Sequence, residues 1–261
     1  MLARCEGIVL RNYALGDTSR IAVLYTREFG LLKAVAKGAR KTPSRFGVAL
    51  EPLTHGRYHV YHRSDRDLQL LSQAEALTPF GARLGDLARL THAQAAVELV
   101  DRLVWGEEPH AELFVLLLDT LAALQRVPPA ALVAVTLAFE LKAAGHLGYR
   151  PRLDACVLCQ GRLSTRRLFS AARGGMLCDR CAQGESGVLA LSADGLAALA
   201  LLLDRPLGEA LESVEVRRPG ELLRVAEDFL RAHFQRFAGL KSLEVLRALP
   251  GGMIGEVNPC D

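Results

Sequence analysis

Apolar and polar positions alternate with a period of two through the opening third of the chain and with a helical period after it. "IAVLYT" (21–26) and "LLKAVAKG" (31–38) are β-forming runs parted by "REFG", a tight-turn sequence. "EGIVLRNY" (6–13), "GRYHVYHR" (56–63) and "DLQLLSQAE" (67–75) bring the expected strands to five. Five short strands in one compact stretch predict a small barrel of the five-stranded OB type, with an SH3-like barrel as the alternative.

Near residue 80 the period changes. In "ARLGDLARLTHAQAAVELVDRLV" (82–104), Leu90, Ala93, Val97, Val100 and Val104 fall on one helical face. "HAELFVLLLDTLAALQR" (110–126), set between Pro109 and Pro128, predicts a second helix. "PAALVAVTLAFELKAAGHLG" (129–148) predicts a third, with Gly145 and Gly148 near its end. "SADGLAALALLLD" (192–204), with Ser192 as its N-cap, "GELLRVAEDFLRAHFQRF" (220–237) and "KSLEVLRAL" (241–249) predict the remaining helices. The fold class is therefore read as α+β. An OB-fold domain is expected over 1–79, a helical domain over 80–151 and 191–250, an inserted zinc-binding module over 152–190, and a flexible tail over 251–261. There is no internal repeat.

Composition adds bounds. The chain has 261 residues, 50% of them hydrophobic, enough for one large domain or a few small ones. Its longest apolar runs, such as "LAALALLL" (196–203), are too short to cross a bilayer. The N-terminus lacks a basic leader followed by an apolar core and a cleavage site, so a cytoplasmic location without membrane contact is the expectation. The net charge of +3 conceals an asymmetry: residues 1–80 hold 12 Lys+Arg against 7 Asp+Glu, the remainder 20 against 22. The front of the chain thus reads as a polyanion-binding end.

Much of that charge is concentrated in "KAVAKGARKTPSRFG" (33–47), which supplies Lys33, Lys37, Arg40, Lys41 and Arg45, with no acid between Glu28 and Glu51. Strand alternation places Lys33, Val35 and Lys37 on one side and Leu32, Ala34 and Ala36 on the other. Gly38 and Pro43 bracket a loop that carries the remaining three cations. In "RYHVYHR", Arg57, His59, Tyr61 and Arg63 share one face, and Tyr58, Val60 and His62 the other. Cations interleaved with a flat ring are what a single nucleic-acid strand requires: charge along its backbone and surfaces under its bases. The competing reading is a solvated basic loop, with Tyr61 turned inward if the register slips by one.

Cys156, Cys159, Cys178 and Cys181 are spaced Cys-x2-Cys-x18-Cys-x2-Cys. Each pair closes a tight turn that aims two thiolates at one point, and two such turns complete a zinc tetrahedron around a short intervening hairpin. A closed four-sulfur shell leaves no position for water or substrate, so the single zinc is read as structural. The alternative, a redox dithiol, needs one reactive pair rather than two symmetric ones. Cys5 reads as a small buried residue, and Cys260 in the tail is given no role. The chain has no Gly-x-x-x-x-Gly-Lys-Ser/Thr, His-Glu-x-x-His or Gly-x-Ser-x-Gly motif, and the expectation is that it is not an enzyme.

At these motifs the sequence resembles the RecO family of bacterial recombination mediators. A Gly-Ile-Val-Leu strand at Gly7 to Leu10, Ser19 to Ile21, a Thr-x-x-x-Gly-Leu turn at Thr26 to Leu31, and the Ala-Lys-Gly-Ala-Arg-Lys loop at Ala36 to Lys41 match the family's N-terminus. The four cysteines and the segment around Leu240, Lys241 and Ser242 resemble its later portions. "LGD" (15–17) departs slightly from the commoner Tyr-Gly-Glu. The resemblance implies an OB-fold followed by a helical domain holding a zinc module. It implies binding of single- and double-stranded DNA, annealing of complementary strands coated by single-strand-binding protein, and loading of RecA in partnership with RecR, at the nucleoid. It also implies that the acidic tail of single-strand-binding protein docks on the helical domain, with Arg224, Arg231 and Arg236 beside Phe234 or Phe237 as candidates. A zinc-ribbon regulator that reads duplex sequence is the alternative function.

Overall fold

The structure, a computed structural model, describes residues 1–248. Cys260 and the tail expected over 251–261 lie outside the described residues. The chain divides into two compact units, one of residues 1–125 and one that begins at Arg126.

In the first unit, β1 (Leu2–Leu15), β2 (Ser19–Thr26), β3 (Gly30–Ala36), β4 (Thr54–Tyr61) and β5 (Leu68–Pro79) lie in the order β1-β2-β3-β5-β4. β4 pairs back onto β1, so the ring closes. All neighbours are antiparallel except β3 and β5. This is the OB arrangement expected from the strand count. β1 is long because it serves two partners: Leu2–Ile8 faces β4 and Gly7–Leu15 faces β2. The barrel interior is filled by Val9, Leu24, Leu32, Tyr58, Val60 and Leu71, all buried. The Tyr58 hydroxyl donates to the Ala49 carbonyl oxygen at 2.9 Å, so its one polar group is satisfied inside. Gly30, in the expected turn, has φ +63°, and a Cβ there would run into the Glu108 carbonyl.

Two helices, α1 (Leu87–Leu103) and α2 (Ala111–Arg126), follow the barrel. The Asp86 side chain accepts the Arg89 N–H and caps α1. Ala93, Val97, Val100 and Val104 are buried as their spacing predicts, whereas Leu90 is 36% exposed at the margin of that face. The helices pack on the outer side of β1 and β2 at Arg11 and Tyr25 and leave Tyr13 exposed. The Tyr25 hydroxyl donates to the His110 carbonyl at 3.2 Å, its ring meets Phe114, and Arg11 pairs with Asp101 at 2.9 Å.

The second unit is built on α3 (Leu132–His146), which is apolar on nearly every side and buried accordingly. β6 (Arg167–Ser170), β7 (Gly175–Leu177) and β8 (Val188–Leu191) form a small sheet in the order β7-β6-β8, with the short helix α4 (Asp179–Ala182) between β7 and β8 in the chain. The β6–β7 pair is the hairpin expected between the cysteine pairs. α5 (Ala193–Asp204), α6 (Leu207–Ser213), α7 (Pro219–His233) and α8 (Lys241–Ala248) complete the unit. β8 and α6 have no counterpart in the expected elements. No helix among the described residues is long and apolar enough to cross a membrane.

Ser192 caps α5 as its sequence position predicts: its hydroxyl oxygen accepts the Gly195 N–H at 3.0 Å. Glu221 accepts from both the Ser192 hydroxyl, at 3.0 Å, and the Ser192 N–H, at 2.8 Å. Ser192→Ala is expected to cost about 1 kcal/mol. The measurement is denaturant unfolding: the midpoint should fall at unchanged slope.

Candidate nucleic-acid interface and metal centre

The alternation read from β3 holds. Leu32, Ala34 and Ala36 are buried, Lys33 and Lys37 are exposed, and Val35 between them is half-buried. In β4, Tyr58 and Val60 are buried, while Arg57 and Tyr61 are exposed and His59 is half-buried. Tyr61 therefore points outward. The inter-strand register brings β3 and β4 into relation across β5: Val35 lies opposite Leu70, and Leu70 lies opposite Tyr61. The cations of β3 and the ring of β4 thus share one outer wall of the barrel, two strand spacings apart, or about 10 Å.

The loop after β3 is pinned at both ends. Ala39 and Phe46 are buried with the barrel core, and Lys41 and Arg45 project between them. Arg45 lies over the Phe46 ring, 4.6 Å from its centroid. Arg40 holds the loop against the β1–β2 turn: its N–H donates to the Thr18 carbonyl at 2.9 Å and its guanidinium to the Gly16 carbonyl at 2.7 Å.

The seven sequence-selected lysines and arginines fall into two electrostatic classes. Lys33, Lys37, Lys41 and Arg45 make no ion pair among the described residues, and Arg40 bonds only backbone oxygens. Arg63 is held by Asp65 through two hydrogen bonds, 3.0 and 2.8 Å, and that pairing keeps the Asp65 carboxyl below its ordinary pKa. Arg57 lies 3.7 Å from Glu75. Charge available to a polyanion is thus concentrated on β3 and its loop, and β4 contributes the ring. Sequence reading missed two outward neighbours on β1. Arg4 lies opposite His59, and Tyr13 is 41% exposed beside Ile21.

The candidate metal centre is a cluster of four sulfurs in the second unit. The sulfurs of Cys156, Cys159, Cys178 and Cys181 all lie within 4.8 Å of one another. Cys159 and Cys178 are 3.7 Å apart, close to the edge of about 3.8 Å that a tetrahedron with zinc–sulfur bonds near 2.3 Å requires. The first pair sits in a knuckle: Gln160 takes φ +58°, its N–H donates to the Cys156 carbonyl at 2.9 Å, and Cys156 N–H donates to the Gly161 carbonyl at 3.1 Å. The second pair opens α4, where Cys178 occupies the N-cap position.

Burial of the Cys156 sulfur opposes ionisation, yet N–H donors from Cys159, Cys178 and Leu158 lower its pKa to about 6. Hydrogen bonds to Cys178 and Cys159 push the Cys181 thiol up to about 12. One sulfur is thus favoured as thiolate while another is held protonated by its neighbours. A cation at the centre would let all four ionise. The donors fit a thiophilic divalent ion, and four sulfurs leave no open coordination position.

Other expected positions are placed as follows. Cys5 is buried in β1, with burial raising its thiol pKa to about 12. Phe237 is buried, and the small concavity beside it is lined by Glu140, Glu227 and Glu244. Arg231 is bonded to Glu227 at 2.6 Å and Arg224 lies 3.8 Å from Asp228. A cationic rim expected beside Phe237 is therefore not what surrounds it, because the arginines of α7 are engaged by carboxylates one helical turn away.

Comparison with known proteins agrees with this architecture. "Recombination protein O N terminal" matches residues 1–80 and "Recombination protein O C terminal" matches residues 84–244. The DNA repair protein RecO of Anaeromyxobacter dehalogenans is 40% identical over 252 residues, covering 95% of this chain and 98% of the relative. RecO of Pelotomaculum thermopropionicum is 35% identical over 236 residues, 90% of each. RecO of Streptomyces griseus is 35% identical over 250 residues, 93% of this chain and 97% of its own. With both terminal descriptions matched and relatives of this identity aligned along nearly their whole length, the chain belongs to the RecO family of DNA repair proteins.

Proposed function

We propose that the chain is a recombinational repair mediator that binds DNA through the basic wall of its barrel. It binds single and double strands, anneals complementary strands coated by single-strand-binding protein, and acts with RecR to load RecA. Lys33, Lys37, Arg40, Lys41 and Arg45 hold the phosphates, Tyr61 stacks on a base, and His59, Arg57 and Arg63 contribute at the border. Phosphate neutralisation lowers the repulsion that a bound strand presents to its complement, so annealing needs no covalent step. One observation supports this reading most: Lys33 on β3 and Lys37 just beyond its end are exposed with no carboxylate paired to either, beside the wall that also exposes Tyr61. The four cysteines hold one zinc that supports the second unit and does no chemistry. The partners are carried by family membership, and the acidic tail of single-strand-binding protein is given no site beside Phe237.

The test is annealing of complementary oligonucleotides pre-coated with single-strand-binding protein. The chain is expected to raise the rate at least tenfold over the coated strands alone, on the order of what one or two neutralised phosphate contacts supply. An unchanged rate would overturn the annealing role. A barrel that instead preferred one duplex sequence over random DNA would favour a zinc-ribbon regulator.

A further inference from the structure

The inter-strand register joins Tyr61 to a second exposed tyrosine through a continuous apolar row. Tyr61 lies opposite Leu70, Leu70 opposite Val35, Val35 opposite Ile21, and Ile21 opposite Tyr13. Beyond Tyr61 the row ends at Leu2. Residues directly opposite in a ladder share a face, so all six side chains lie on the outside of the barrel. The two ends are open: Tyr61 is 49% exposed and Tyr13 is 41% exposed, whereas Val35, Leu70 and Ile21 are half-buried between them. Four strand spacings of about 4.8 Å set the rings about 19 Å apart along the wall.

Cations border this row. Lys33 and Lys37 stand two residues to either side of Val35, and Arg4 two residues from Leu2. No outward position two residues from the row is acidic. The Tyr13 ring is also held in place: the Arg11 guanidinium lies 5.0 Å from its centroid and is itself fixed by Asp101 at 2.9 Å. One face of the ring is occupied by that cation, and the ring's remaining exposure faces solvent.

We infer that Tyr13 and Tyr61 are the two stacking platforms of one single-strand track that crosses the barrel wall along this row. Bases stack on the two rings and pass over the apolar middle, and phosphates run beside Lys33, Lys37 and Arg4. An apolar row that follows the curve of the barrel, with Lys33 and Lys37 on either side of its middle, suits an occupant whose hydrophobic faces are open and whose backbone is anionic. A single strand has that form, while a duplex keeps its base faces inside. The inference rests on the proposed DNA binding by this wall and extends it around the barrel to the far end of β1.

The test uses equilibrium binding of labelled oligothymidylate of about ten nucleotides, within the range one OB-fold covers, and an abasic deoxyribose-phosphate oligomer of the same length. Tyr13→Ala is expected to weaken the thymidylate by about 5- to 100-fold, the range for loss of one stacked base. It should leave the abasic oligomer and the salt dependence unchanged, and Tyr13→Phe should restore wild-type affinity. A merely structural role for Tyr13 would weaken both oligomers alike and would overturn the inference. If Tyr13→Ala binds thymidylate as wild type does while Lys33→Ala with Lys37→Ala binds weakly, the track stops short of β1 and the inference falls, but the basic wall stands. If the wild-type chain binds neither oligomer, both readings fall.

Discussion

Replacing Cys178 with serine is expected to release the metal and unfold the cysteine-bearing segment while leaving the barrel intact. The reason is the size of what the segment can bury without a metal. The cluster around the sulfurs consists of Cys156, Leu168 and Leu177, with Val157, Leu163 and Val188 partly buried around them, while Phe169 and Met176 are also buried and Phe169 meets Phe229 of α7. Each fully buried leucine contributes about 1.5–3 kcal/mol, whereas each ordered backbone costs about 1–2 kcal/mol. Three short strands and one helical turn bury few such side chains for the nearly forty residues they order, most of them outside regular structure. A structural zinc contributes on the order of 10–16 kcal/mol in comparable small sites, which is enough to decide the outcome. The wild-type chain should carry one zinc, measured by elemental analysis. In Cys178→Ser the zinc should be lost, and protease cleavage and amide exchange between residues 152 and 190 should rise steeply. Peptides from β2 and β3 should keep their protection, since their core lies in the other unit. A metal-free chain that retained protection throughout 152–190 would show that the sulfurs do not hold the fold.

How far the sequence reaches can be judged from single residues. The inward Leu32, Ala34 and Ala36 and the outward Lys33 follow from period-two alternation, because β3 has no irregularity in its pairing with β2, and Lys37 is exposed just past its end. Tyr13 shows where that rule fails. Ala3, Cys5 and Val9 pack toward the barrel core, so unbroken alternation would send Tyr13 inside as well. A register shift between Val9 and Arg11 reverses the phase, and Tyr13 emerges outward opposite Ile21. Nothing in "VLRNY" announces the bulge, which is set by pairing with a strand from elsewhere in the chain. β8 and α6 were illegible for a related reason. Four residues of β8 gain their strand state from β6, and the seven of α6 from packing on α3 and α5, not from a long periodic pattern. The cysteine spacing, by contrast, carried the four-sulfur cluster entire, because two Cys-x-x-Cys turns constrain geometry locally. Whether a cation was available or already paired could not be read from sequence. The two bonds between Arg63 and Asp65 and the absence of an ion-pair partner for Lys33 among the described residues are tertiary outcomes.

That division of charge leads to the second large effect. Lys33→Ala combined with Lys37→Ala is expected to weaken single-strand binding by about 25-fold near 0.1 M salt, whatever the base sequence. Each phosphate contact to a single strand contributes about −0.7 to the slope of log K against log salt, so five contacts give about −3.5 and the double variant about −2.1. Both side chains are exposed and pair with no carboxylate among the described residues, so their removal takes charge from the wall without freeing an acid. Arg63→Ala should behave differently. Its guanidinium must give up two hydrogen bonds to Asp65 before it can neutralise a phosphate, so the slope should change by less than a full contact. Arg40→Ala is a third case, because it removes charge and also releases the loop from Gly16. Its loss of affinity should therefore exceed what its slope change accounts for. Fluorescence anisotropy over a salt series measures all four quantities. A slope that stays at its wild-type value in the lysine double variant would remove β3 from the interface, and a full contact's change in Arg63→Ala would place the strand along β4 instead.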